Sequence, residues 1–218
     1  MRTETLAVHA GQAPDPAYGA VMTPIYQTST FAFRGVGQPG PFDYSRSGNP
    51  TRKALEDCLA ALEGGVRGFA FATGMAAEAT VLMLLEAGDR VIVHDDLYGG
   101  TFRLFERVRK HSAGLTFSFI DMSDPAAIVP ALTPRTRMIW VETPSNPLLK
   151  LIDLARVAQI ARPRGIWTVS DNTFATPLLC RPIEHGADIV IHSATKWIGG
   201  HGTAIGGIVV DGGRFDWS

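Results

Sequence analysis

Cysteine is scarce in this chain of 218 residues: Cys58 and Cys180 are its two. Neither falls at metal-ligand spacing and two thiols make no disulfide framework, so the expected setting is reduced and cytoplasmic. An excess of charge is missing as well. Twenty Lys and Arg stand against 21 Asp and Glu, a formal net charge of −1, which leaves no basic footprint for nucleic acid or a membrane surface. No apolar run approaches the roughly 20 residues that span a bilayer. The opening Met1-Arg2-Thr3-Glu4-Thr5 lacks the apolar stretch of a secretion signal. A G-x-x-x-x-G-K phosphate loop, a Ser-His-Asp elbow and a Cys/His cluster are missing too. So is a G-x-G-x-x-G turn after the first strand, which leaves a nicotinamide-binding α/β protein as a weak reading. There is no internal repeat and no low-complexity segment.

What remains is ordinary globular composition, 45% hydrophobic and 19% charged, enough for one domain or a domain with an appendage. Residues 1–40 are rich in Gly, Pro, Thr and Gln and carry no sustained helical period. They read as an arm, with residues 21–27 as one extended segment and 42–49 as loop. A helix is predicted from Pro50, with Asn49 as its cap, Leu55, Leu59 and Leu62 as its apolar stripe, and Gly64-Gly65 as its stop. Strands are predicted over 68–73, 90–94, 116–120, 138–141, 167–169, 189–191 and 205–210. Helices are predicted over 75–86, 101–110, 125–132 and 154–161. Fully apolar strands alternating with helices argue for an α/β domain with a mostly parallel sheet between helices. Ligands in such sheets sit beyond the carboxyl ends of the strands.

The suspicious residues fall at those ends. Ser193-Ala194-Thr195-Lys196 follows the strand that ends near His192. A lysine buried there is a candidate nucleophile towards an aldehyde, with Ser193 and Thr195 as hydroxyl donors for a phosphate beside it. Thr73-Gly74-Met75 closes one strand and opens a helix, whose first N–H groups favour an anion; a plain tight turn fits equally. Asp171 ends the strand through Trp167 and Val169, where a carboxylate needs a partner, either a helix start or a protonated ring nitrogen. An acid plus a covalent lysine is the pairing that pyridoxal phosphate uses. Tyr98, held by Gly99 and Gly100, can stack on a flat ring or pass protons, and Arg103 can clamp a carboxylate. Asp95 and Asp96 suggest a metal, yet no third ligand stands at useful spacing.

These stretches together resemble the pyridoxal-phosphate-dependent trans-sulfuration family of cystathionine γ-synthase, cystathionine lyases, methionine γ-lyase and O-acetylhomoserine sulfhydrylase. Six matches carry the resemblance, in family order: Tyr44-Ser45-Arg46 with Asn49-Pro50-Thr51; Thr73-Gly74-Met75; Asp96 to Thr101; Glu142-Thr143-Pro144-Ser145-Asn146-Pro147; Asp171-Asn172-Thr173; and Ser193-Ala194-Thr195-Lys196. The resemblance implies a type I pyridoxal-phosphate fold, the aspartate aminotransferase-like large domain. It implies an arm over 1–48 that contacts a neighbouring subunit and a cofactor domain over 49–218. The active unit is then at least a dimer, and a dimer of dimers in most relatives.

By the same resemblance, Lys196 would hold pyridoxal 5'-phosphate covalently and later carry protons. Asp171 would pair with the ring nitrogen, Asn146 would lie near the ring hydroxyl, and Tyr98 would stack over the ring. Gly74, Met75, Ser193 and Thr195 would bind the phosphate, with Thr173 also in the cofactor site. Tyr44 and Arg46 would reach the phosphate of a neighbour, and Arg103 would read a distal carboxylate of an amino-acid substrate. No metal is implied. The implied reaction is γ-replacement on an O-acylated homoserine, with γ-elimination from cystathionine or methionine as alternative. Two departures stand out. Gly199 to Gly207 resembles the homoserine-ester sulfhydrylases, whereas Asp96 to Arg103 resembles the cystathionine γ-synthase branch. The chain also stops at Phe215-Asp216-Trp217-Ser218, where relatives continue into a C-terminal domain with the arginine for the substrate α-carboxylate. A catalytically incomplete, cofactor-binding fragment is therefore a further reading.

Overall fold

The computed structural model describes residues 1–214; the end of the expected 49–218 domain, at 215–218, lies outside the described residues. Its strands are β1 (Arg67–Phe71), β2 (Arg90–His94), β3 (Thr116–Ile120), β4 (Thr136–Glu142), β5 (Trp167–Asp171), β6 (Ile189–His192) and β7 (Gly207–Asp211). They form one sheet in the order β1-β7-β6-β5-β4-β2-β3. Strands β3, β2, β4, β5 and β6 pair in parallel, while β7 runs antiparallel to both β6 and β1. The expected mostly parallel sheet is what forms.

The apolar strand sequences dictate two covered faces, because successive side chains point to opposite sides. Val91, Val93, Met138 and Trp140 enter one core with Val169, Ile189 and Ile191, covered by Ala77, Val81 and Phe105. Their neighbours Ile92, Ile139 and Val141 enter the opposite core with Val157 and Ile160. Val190, Ile208 and Val210 turn the same way and meet Leu59 and Ala60. Helix α3 (Gly74–Val81) thus lies on one face, and α2 (Pro50–Glu63) and α7 (Leu154–Ala161) on the other.

Helix α2 starts and stops as its sequence dictates. The Asn49 side chain accepts the Thr51 N–H, Pro50 takes the first position, and Gly64 adopts φ +74° at the end. Its stripe is narrower than expected, since Leu59 is buried but Leu55 is 44% exposed. The helix expected over 101–110 is a composite of α4 (Gly99–Phe102), a π-helical stretch Arg103–Arg109 and α5 (Lys110–Ser112). The segment 125–132 divides into a 3-10 turn and the short α6 (Ile128–Ala131), with Asp124 capping Ala126 as expected.

The arm differs from its sequence reading. Residues Thr3–His9 form a helix, α1, with no buried residue, held in part by Arg181 donating to Thr3 Oγ1 at 2.7 Å. Two turns are too few for a helical period to stand out. Residues 21–27 form no strand. They are tied to the start of α2 instead: Thr51 Oγ1 takes the Tyr26 N–H and donates to Pro24 O, and Asn49 donates to Tyr26 O.

Candidate active site

A cavity of about 440 Å³ opens where β4, β5 and β6 end and α3 begins. It gathers Gly74, Met75, Tyr98, Asn146, Asp171, Thr173, Ser193, Thr195 and Lys196, which are far apart in sequence. Thr73, Glu78, Glu142 and Phe174 complete its wall. Tyr44, Arg46 and Arg103 do not line it. Arg46 packs over the Tyr44 ring at 4.6 Å on the arm, and Arg103 is exposed on the π-helical stretch.

The start of α3 forms one wall. Thr73 Oγ1 accepts the Ala76 N–H at 2.9 Å, and the Thr73 carbonyl accepts that of Ala77. A helix start leaves the Gly74 and Met75 amides without an intrahelical acceptor, so they suit an anion. Gly74 is there because β6 passes close by: a Cβ on it would lie 2.8 Å from Ser193 Cβ. The Ser193 N–H donates to Thr173 Oγ1 at 2.8 Å, which joins the turns after β5 and β6. Thr195 is already engaged, its hydroxyl exchanging hydrogen bonds with the Gly206 backbone. Lys196 lines the cavity yet is exposed, not buried as the sequence reading had it. It sits on the turn beyond β6, at the mouth.

The floor is acidic. Glu142 and Asp171 end adjacent strands in register, and Glu78 faces them from α3. Glu78 Oε1 accepts from Thr101 at 3.0 Å, while its buried Oε2 has no partner among the described residues. Burial pushes Glu78 up to about 8, with the nearby Asp171 adding to the effect. Burial, and then Asp171, likewise pushes Glu142 up to about 8, although the Tyr98 N–H at 2.8 Å opposes the rise. Asp171 is raised by its own burial, against the hydrogen bonds from Thr173 and the influence of His192. An acid buried in this way gains from a cationic N–H donor. The sequence reading does not single out Glu78, and it includes Glu142 only within a matched stretch with no role of its own, although each leaves a signal. Glu78 is a carboxyl in an otherwise apolar helix, and Glu142 ends β4 as Asp171 ends β5.

Two loops carry Tyr98 and Asn146, and Asp96 fastens one to the other. Its Oδ2 accepts from the Ser145 hydroxyl and, at 2.9 Å, from the Leu148 N–H. The Tyr98 ring lies over Gly100, where a Cβ would come within 2.3 Å of Cε1. The fold does bring His94, Asp95 and Asp121 together, without Asp96. Lys150 Nζ already bridges the two carboxylates at 3.0 and 3.1 Å.

The residues present fit pyridoxal phosphate: an amine, a buried acid, a helix start with two open amides, and a glycine where a side chain would block approach. A family model described as Cys/Met metabolism PLP-dependent enzyme matches residues 4–218. A cystathionine beta-lyase of Coxiella burnetii is 58% identical over 96% of this chain and 54% of its own length. A probable cystathionine gamma-synthase of Herpetosiphon aurantiacus is 55% identical over 94% of this chain and 64% of its own length. The crystal structure of cystathionine gamma-lyase from Lactobacillus plantarum complexed with L-serine superposes with TM-score 0.94 and 48% identity, over 97% of this chain and 55% of that one. The chain therefore spans between about half and two thirds of the length of these relatives, and over that span its fold is that of the Lactobacillus plantarum structure. It belongs to the PLP-dependent enzymes of Cys/Met metabolism.

Proposed function

We propose that this chain is the cofactor-binding part of a trans-sulfuration enzyme that exchanges the γ-substituent of an O-acylated homoserine for a sulfur nucleophile. The observation that carries the reading is one cavity shared by Lys196, Asp171 and the Gly74–Met75 helix start. When bound, pyridoxal phosphate supplies an electron-accepting ring. Lys196 Nζ would hold its aldehyde carbon and would take up the proton from the substrate α-carbon. Asp171 would keep the ring nitrogen protonated. Gly74, Met75 and Ser193 would bind the phosphate; Thr195 shapes their turn through Gly206 and would add its hydroxyl. Asn146 would meet the ring hydroxyl and Tyr98 would cover the ring, while Thr173 steadies Asp171 by donating its N–H at 2.9 Å. Glu78 and Glu142, pushed up to about 8 by burial, are neutral at pH 7 in this account, which takes two negative charges out of the way of an entering phosphate.

Tyr44 and Arg46 are exposed on the arm 1–48 and serve the phosphate site of a second copy, so the active unit is a homo-oligomer built on the 49–218 domain, acting in the cytoplasm. Arg103, exposed near the Tyr98 loop, reads the distal carboxylate of the substrate. A second reading, cleavage of cystathionine, is favoured by the name of the 58%-identical relative. Both share the cavity. Assays for cystathionine formation, sulfide incorporation and keto-acid release, run on the enzyme of which this chain is the cofactor-binding part, separate them, and silence in all three sinks both.

The direct test is chemical. Borohydride reduction of the chain with pyridoxal phosphate, followed by peptide mapping, is expected to mark Lys196. Lys196→Ala should abolish the mark, and a label on another lysine would contradict the assignment. Asp171→Asn should weaken cofactor affinity by about ten- to hundredfold, the range of a hydrogen bond to a charged group. An unchanged dissociation constant would remove Asp171 from the site.

A further inference from the structure

Five side chains alternate at the ends of β5 and β6. Asp171 and Thr173 line the cavity, and Asn172 between them is fully buried on the reverse side. Ser193 lines the cavity, and His192 before it is likewise fully buried. Both reverse-side groups converge on one atom. Glu63 Oε1, at the end of α2, lies 2.8 Å from Asn172 Nδ2 and 2.5 Å from His192 Nε2. Asn172 also donates to the Cys180 carbonyl at 2.9 Å.

We infer that Glu63 is a positioning residue of the cofactor site, its carboxyl tying together from behind the two turns that present Asp171 and Ser193. The inference rests on the reading of this cavity as the pyridoxal-phosphate site. On the cavity side the same turns are joined by the Ser193 N–H on Thr173 Oγ1. The Asn172 N–H on the Ile191 carbonyl is the backbone link between them. Glu63 therefore closes the rear of a clamp whose front is Thr173.

Stability alone is a poor reason for the arrangement. Glu63 is wholly buried and its Oε2 has no hydrogen-bond partner among the described residues. A buried carboxyl oxygen left unpaired is costly, and an apolar side chain would fill the same volume without that cost. What an apolar side chain lacks is a single acceptor that fixes two turns relative to each other. Asp171 and Ser193 must be held in that way if one contacts the ring and the other the phosphate of one small molecule. His192 has a second consequence, since it opposes the rise in the Asp171 pKa.

The test uses the 218-residue chain with pyridoxal phosphate, in Glu63→Leu, Glu63→Gln and Asn172→Ala variants. Dissociation constants come from equilibrium dialysis read by cofactor absorbance, and melting temperatures are taken with and without cofactor. Glu63→Leu is expected to raise the dissociation constant at least tenfold and to shrink the rise in melting temperature that the cofactor gives. Glu63→Gln keeps an oxygen that accepts both bonds and should stay within about threefold of wild type. A purely structural Glu63 would lower both melting temperatures equally, because ligand stabilisation depends on affinity for the folded state. An unchanged constant in Glu63→Leu overturns the inference, as does equal loss in both Glu63 variants. If Glu63→Leu does not fold, Asn172→Ala should raise the constant threefold or more with Asp171 in place, and no rise overturns it. Wild-type chain that takes up no cofactor would overturn the cofactor reading itself, and the inference with it.

Discussion

Gly207→Ala is expected to destabilise the chain by about 3 kcal/mol or more and to abolish borohydride labelling of Lys196. Gly207 opens β7, the strand between β1 and β6. A Cβ on it would lie 2.2 Å from the Thr73 carbonyl oxygen, 2.5 Å from its carbon and 2.8 Å from the Gly74 nitrogen. Those are backbone atoms at the helix start that lines the cavity, so no flexible side chain can move aside. Either β7 leaves its register or the Thr73–Gly74 turn shifts. Overpacking of a tight interior typically costs about 1–3 kcal/mol, and a clash of backbone against backbone belongs at the upper end or beyond. Gly206→Ala is the control, because its Cβ meets Ala194 Cβ at an ordinary 3.5 Å. It should stay within about 1 kcal/mol of wild type. Urea unfolding of the two variants provides the comparison, and equal midpoints would refute the argument.

Gly207 also marks where the sequence stops being legible. The run 205–210 reads as a strand from its apolar residues, and the strand starts at Gly207. Nothing in the run tells that Gly207 touches a helix start more than 130 positions earlier; that contact exists only once β7 has slotted beside β6. The same limit governs the floor of the cavity. Asp171 is conspicuous because it ends an apolar strand, and Lys196 because hydroxyls and glycines flank it. Glu78 is hidden, since its importance depends on which face of α3 meets the sheet. Glu63 is hidden more deeply, as one polar residue at the end of an amphipathic helix, where a solvated carboxylate is the ordinary expectation. Parallel strands β2, β3 and β5 are legible within a residue or two because apolar runs bounded by polar residues leave little choice. Helix α1 was not, because its seven residues bury nothing. Local pattern predicts elements that bury a face, while the site is built from contacts between the ends of several elements.

Between pH 6.5 and 8.5 the chain without cofactor is expected to lose about 2–4 kcal/mol of stability, with most of the loss below pH 8. Glu78 and Glu142 carry folded values of about 8 against ordinary values of 4.5. In that window the folded state holds protons that the unfolded chain has released. Stability from these groups is therefore complete below about pH 4.5 and drains away as pH rises to 8. Each unit of the window is worth about 1.4 kcal/mol for an independent group, and the two acids face the same Asp171, so their losses do not simply add. His94 works the other way: its burial lowers its pKa, so it favours the fold as pH rises towards its ordinary value of 6.5. Asp121, held low by Ser123 and Lys150, has its effect at acid pH. Above pH 6.5 the acids of the cavity floor govern the slope. Glu78→Gln, which keeps the shape of the neutral acid, should flatten it by about half. Urea unfolding at pH 6.5, 7.5 and 8.5 tests both statements, and wild-type stability that stays level or rises would show that the floor does not hold its protons. A site built to admit a phosphate beside three buried carboxyls needs two of them neutral, so the cavity should begin to reject that anion only near pH 8, where the folded acids release their protons and the loss of stability levels off.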